Sequence, residues 1–125
     1  MNESQAWLEK IEKVVEENKP YTLDAFKFVL DALHETVSAL DQPRHVSGRE
    51  LLDGIRTYAL KCYGPLAKTV LNYWGIRETE DFGRIVFLLV DIGLLRKQPE
   101  DKIEDFRGVY DFQKAFSTAI NPDEI

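Results

Sequence analysis

The side chains in this chain that could do chemistry are few and poorly spaced for it. His34 and His45 are its only histidines and Cys62 its only cysteine. No pair of them has zinc-ligand spacing, so neither a metal nor a cofactor is expected. His45 as a general base would need a nucleophile within reach, and the sequence offers no recognisable pairing. Its ring is read instead as holding a loop through a backbone carbonyl. His34 lies beside an apolar seam, where a histidine ordinarily bonds a neighbour. Cys62 falls on the buried side of its expected helix and reads as a core thiol rather than a nucleophile.

Carboxylates are more numerous. Glu78, Glu80 and Asp81 stand at an expected helix start, where they complement the positive end of the dipole. Glu100, Asp101, Glu104 and Asp105 lack the alternating oxygen ligands and central glycine of a calcium loop, so they read as a solvated segment. Gly48, Gly54 and Gly64 fit neither phosphate-loop nor dinucleotide spacing. Hydrolytic, metal and nucleotide chemistry are all left without a constellation.

The elements that must position these residues are helical. Residues 4–18 place Trp7, Leu8, Ile11, Val14 and Val15 on one face, and Lys19-Pro20 ends that helix. Thr22 caps a second helix whose Leu23, Phe26, Leu30, Leu33, Val37 and Leu40 follow a three-four seam, with Phe28 and Val29 widening the apolar stripe. Val46-Ser-Gly-Arg-Glu-Leu51 is the sharpest local signal. Ser47 and Glu50 form a capping box, and Val46 and Leu51 stand where a hydrophobic staple closes. This third helix carries Leu51, Leu52, Ile55, Tyr58, Ala59 and Cys62 and stops at Gly64-Pro65. Gly54 costs about 1 kcal/mol inside it relative to alanine, and a close helix–helix crossing is the simplest reason for it.

Pro65 suits the first turn of a further helix that ends at Gly75. Thr79 is expected to cap the next, whose buried stripe is Phe82, Ile85, Val86, Leu89 and Val90. Beyond Gly93 the spacing predicts a hairpin, with strands at 94–97 and 106–110, and then a final helix carrying Phe112, Ala115, Phe116, Ala119 and Ile120. The expectation is a mainly α single domain over 1–125. It comprises an N-terminal helical pair (1–41) and a helix-turn-helix-like core with a small C-terminal β-hairpin, winged-helix-like, over 46–120.

The chain has 125 residues and a net charge of −6. Its acidity belongs to the two flanks, while residues 47–98 are slightly basic. A dense basic face, the footprint of nucleic-acid binding, is absent. No apolar run is long enough to span a bilayer, and no secretory leader or disulfide is expected, which points to the cytoplasm.

Several motifs resemble an uncharacterised bacterial domain family common in planctomycetes, verrucomicrobia and deltaproteobacteria. They are His45-Val-Ser-Gly-Arg-Glu-Leu-Leu52, Tyr63-Gly64, Val70-Leu-Asn-Tyr-Trp-Gly75 and Thr79-Glu-Asp-Phe-Gly-Arg-Ile-Val-Phe87. Asp101, Asp105-Phe106 and Tyr110-Asp-Phe112 continue the match, which spans nearly all of the chain after Tyr21. It departs from the pattern at Arg84, where an acidic residue is expected. The resemblance implies no activity, cofactor or catalytic residue.

Two functions follow as expectations. The first is a non-catalytic protein-interaction module using the polar motifs near His45, Glu50 and Asp81. The second is a winged-helix-type DNA-binding regulator using Arg49, Arg56 and Lys61. Charge disfavours the second, because the helix that would enter a groove opens with carboxylates. A deep cleft gathering His45, Glu50 and Asp81 would instead favour an enzyme.

Overall fold

The computed structural model describes residues 3–117. Among the described residues six helices follow one another: α1 (Glu3–Glu17), α2 (Leu23–Ser38), α3 (Gly48–Tyr63), α4 (Ala67–Tyr73), α5 (Thr79–Asp91) and the single turn α6 (Phe112–Ala115). Short 3-10 turns occupy Gly64–Leu66 and Ile103–Phe106. The mainly α expectation holds. No helix among the described residues is long and apolar enough to cross a membrane.

α2 and α3 lie against each other, and their crossing explains Gly54. A methyl group there would fall 2.9 Å from Thr36 Cβ and 3.0 Å from its Cγ2. Thr36 cannot turn away freely, because its hydroxyl donates to the Ala32 carbonyl at 2.7 Å. We therefore expect Gly54→Ala to lower stability by about 1–2 kcal/mol, overpacking outweighing the gain in helix propensity. A rise in melting temperature for that variant would refute the close crossing.

The buried stripe of α2 differs from the expected seam. Ala25, Phe26, Phe28, Val29 and Ala32 face the core, whereas Leu23 is 48% exposed and Leu30, Leu33, Val37 and Leu40 are only half-buried. Small Ala25 and Ala32 let the neighbouring backbone come close, so the larger leucines sit on the flank. Thr22 caps the helix as expected, its hydroxyl accepting from Ala25 N at 3.3 Å.

The start of α3 matches the sequence reading. Ser47 Oγ accepts from Glu50 N at 3.1 Å, and the Glu50 carboxylate accepts from Ser47 N at 3.0 Å. Val46 and Leu51 are both buried beside this box. The far end does not match, since Cys62 is exposed rather than a core thiol. Its neighbour Tyr63 takes the inward place by packing against Phe28 and Trp74, which rotates Cys62 outward.

α5 begins one residue earlier than expected, with Glu78 rather than Thr79 as cap. The N–H groups of this cap and of the residue before it are satisfied by Asp81, whose Oδ2 accepts from Arg77 N at 2.8 Å and from Glu78 N at 3.1 Å. This frees the buried Thr79 hydroxyl to donate to the Phe106 carbonyl at 2.5 Å and accept from Val109 N at 3.2 Å.

That link is also why the wing is absent. No strand is present among the described residues, and the expected hairpin is replaced by a chain that folds back over α3 and α5. Phe106 is 3% exposed, and its ring lies against Gly48 and Gly83, where a Cβ would meet it in tight contact at Gly48 and collide with it at Gly83. With its ring buried there and its carbonyl held by Thr79, residue 106 cannot pair with residues 94–97. The final helix covers only Phe112–Ala115; the expected Ala119 and Ile120 positions lie outside the described residues. Tyr110 O–H donating to the Leu52 carbonyl at 2.8 Å and Arg56 Nε donating to the Ala115 carbonyl at 3.0 Å fasten this segment to α3.

Candidate functional site

A cleft of about 220 Å³ opens between α2, the start of α3, α5 and the chain that follows α5. Leu33, Val37, Val86, Phe87, Leu95 and Phe106 give it an apolar interior. The half-buried flank of α2, which the three-four seam had assigned to helix packing, supplies one wall. Phe106 closes the floor because the Gly48 and Gly83 backbones let its ring approach.

The mouth is polar and mostly cationic, with Arg44, His45, Arg96, Lys97 and Asp101 around it. Arg44 forms a two-pronged pair with Glu50, at 3.1 and 2.6 Å, and also donates to the His45 carbonyl at 3.0 Å. The Arg44 guanidinium, aided by Ser47 N–H, holds the Glu50 carboxyl down to about 2. His45 Nε2 lies 2.8 Å from Asp101 Oδ2, which also accepts from Gln98 N at 2.7 Å. Glu50 and Asp101 are thus committed to neighbours. Arg96 makes no ion pair among the described residues, and Lys97 reaches only the Gln98 carbonyl, at 3.3 Å.

His45 and Glu50 are therefore brought to one place, joined through Arg44. Asp81 is not with them. It is 6% exposed and faces the other way, its Oδ1 accepting from the Tyr21 hydroxyl and from Arg84 Nη1 at 2.8 Å. Burial, together with the hydrogen bond to Asp81, pushes the Tyr21 hydroxyl up to about 12 against the opposing effect of Arg84. Arg84 goes on to pair with Glu80 at 3.2 Å, and Glu80 with Arg107 at 2.7 Å. This network ties α5 to the α1–α2 junction and to the chain beyond Phe106.

The condition that would have favoured an enzyme is not met. The His45–Asp101 pair has a serine nearby in Ser47, but Ser47 Oγ accepts from Glu50 N and no hydrogen bond joins it to His45. Among the described residues no group of three or more His, Cys, Asp or Glu side chains is placed to hold a metal. Arg49 and Arg56 do not gather into a basic face, since Asp53 lies between them and Arg56 is engaged with Ala115. Arg44, Arg96, Lys97 and Asp101 were not among the expected site residues. Only Asp101, inside an acidic run, carried any local signal.

No protein-family model, curated protein or solved structure matches the chain.

Proposed function

We propose that this chain, as a member of the bacterial family its motifs resemble, is a non-catalytic cytosolic protein-interaction module. Its docking site is the cleft between α2, α3 and α5. The observation that carries the reading is an apolar interior ending in two uncommitted cations, Arg96 and Lys97, while the carboxylates at the mouth are already paired. An occupant with one large apolar side chain beside carboxylates complements both features. The apolar group displaces water from the interior, and the acids meet Arg96 and Lys97. An acidic partner segment fits better than duplex nucleic acid, whose bases are stacked away from the apolar interior. A single exposed cysteine with no possible intrachain partner suits a reducing compartment.

The test is fluorescence anisotropy with labelled peptides in which leucine or phenylalanine is followed by two glutamates. Binding should weaken about tenfold, or about 1.4 kcal/mol, when Arg96 and Lys97 are both changed to glutamate. It should weaken similarly when the salt concentration is raised well above physiological. Binding indifferent to the double charge reversal, or no binding of any such peptide to the folded wild-type protein, would remove the proposal.

A further inference from the structure

A second recess lies at the other end of α2, where α3 and α4 meet. Phe28 forms its floor and is 4% exposed. Tyr58, Tyr63 and Trp74 stand around it half-buried, with ring centroids 5.4, 6.3 and 5.6 Å from that of Phe28. Tyr63 and Trp74 meet edge to face, 5.7 Å apart with ring planes at 82°. The recess, of about 100 Å³, opens to solvent, and Asp24, Lys27 and Asp31 complete its rim.

The sequence accounts for the arrangement. Asp24, Phe28 and Asp31 recur at helical spacing on one face of α2, so two carboxylates flank the aromatic floor one turn to either side. Neither carboxylate is hydrogen-bonded or ion-paired to another described residue. Lys27 stands between them at the spacings that ordinarily give helix ion pairs, yet it pairs with neither among the described residues.

Aromatic faces carry negative potential, and rings set at an angle around a small space concentrate it. The two carboxylates at the rim outnumber Lys27 and add to that field. The Tyr63 hydroxyl registers it: burial pushes it up first, and Cys62, Asp24 and Asp31 add in the same direction. An apolar side chain would gain nothing from the rim carboxylates, and an anion would be repelled by them. A bare ammonium would have to shed strong hydration without enough acceptors in place. A methylated ammonium is weakly hydrated and presents its charge through C–H groups that suit ring faces.

We propose that the recess walled by Phe28, Tyr58, Tyr63 and Trp74, with Asp24 and Asp31 at its rim, binds a trimethylalkylammonium head. The head comes either from a small quaternary amine or from a trimethylated lysine of a protein. Lys27 is the competing cation at the rim and limits the affinity.

Two-dimensional NMR of the whole chain, with choline as probe, tests it. The Trp74 indole N–H should shift in a saturable manner while the Trp7 indole stays in place. Asp24→Asn combined with Asp31→Asn should weaken choline binding about tenfold, while the melting temperature falls by no more than the few degrees that losing the first-turn charge of α2 costs. Lys27→Gln should strengthen it a few-fold. A trimethyllysine peptide binding at least tenfold more tightly than choline assigns a protein partner as the source, and equal affinities assign the free amine. The proposal is overturned if 3,3-dimethylbutan-1-ol, the uncharged isostere of choline, shifts Trp74 with the same affinity. It is overturned equally if choline at tens of millimolar leaves Trp74 unmoved in both wild-type and Lys27→Gln protein.

Discussion

Asp81→Ala should lower the unfolding free energy by about 3 kcal/mol, seen as an earlier chemical-denaturation midpoint with an unchanged slope. The carboxylate accepts four hydrogen bonds, from Arg77 N, Glu78 N, the Tyr21 hydroxyl and Arg84. Losing the acceptor for the Arg77 and Glu78 N–H groups removes Asp81's half of the capping box at the start of α5, worth about 1 kcal/mol. Tyr21 is 8% exposed, and stranding its hydroxyl adds about 1–3 kcal/mol. Arg84 loses least, because it keeps Glu80 at 3.2 Å. Asp81→Asn retains one oxygen for the cap but sets an amide against the guanidinium, so its cost should be about half that of alanine. Tyr21→Phe removes the hydroxyl alone and leaves Asp81 Oδ1 its bond from Arg84 at 2.8 Å, so it should cost only about 1 kcal/mol. Equal losses for Asp81→Ala and Tyr21→Phe would show that Asp81 is a simple cap and not the link between α5 and the α1–α2 junction.

The same residue marks the boundary of what the sequence makes legible. Capping boxes are local, so Ser47 and Glu50 could be read three residues apart, and Gly54 could be read from its cost to helix propensity. Asp81 also looked like a helix-start acid, and it is one. Its bond to Tyr21 crosses 60 positions, however, and no local periodicity carries that information. The expected wing failed for a related reason. Residues 94–97 and 106–110 have the composition of short strands, but Phe106 has its steric complement in Gly48 and Gly83, which belong to two different helices. Cys62 and Tyr63 competed for one inward position, and the aromatic cluster settled it in favour of Tyr63. The cleft was half-visible. His45 and Glu50 were singled out from the motif around Ser47, while Arg96, Lys97 and Asp101 come from a segment whose return path depends on Phe106.

That return path makes Gly83→Ala the second large effect, and its sign should depend on Phe106. A methyl at Gly83 would lie 2.6 Å from Phe106 Cγ and 2.8 Å from both Phe106 Cβ and Ile103 Cδ1. The Phe106 backbone cannot retreat while Thr79 holds its carbonyl at 2.5 Å. Overpacking of this kind costs up to about 3 kcal/mol, against which alanine in a helix returns about 1 kcal/mol. A net loss of about 2 kcal/mol is expected, together with weaker peptide binding, since Phe106 is the floor of the cleft. Phe106→Ala alone should cost about 3–5 kcal/mol by leaving a cavity against α3 and α5. In that background the obstruction at Gly83 is largely gone, and Gly83→Ala should become neutral or mildly stabilising. The interaction energy from this double-mutant cycle, read from denaturation midpoints, should therefore be about 2 kcal/mol. Additive losses would mean that the ring of Phe106 does not depend on the bare backbone of Gly83. The account of the missing wing and of the cleft floor would then fail with it.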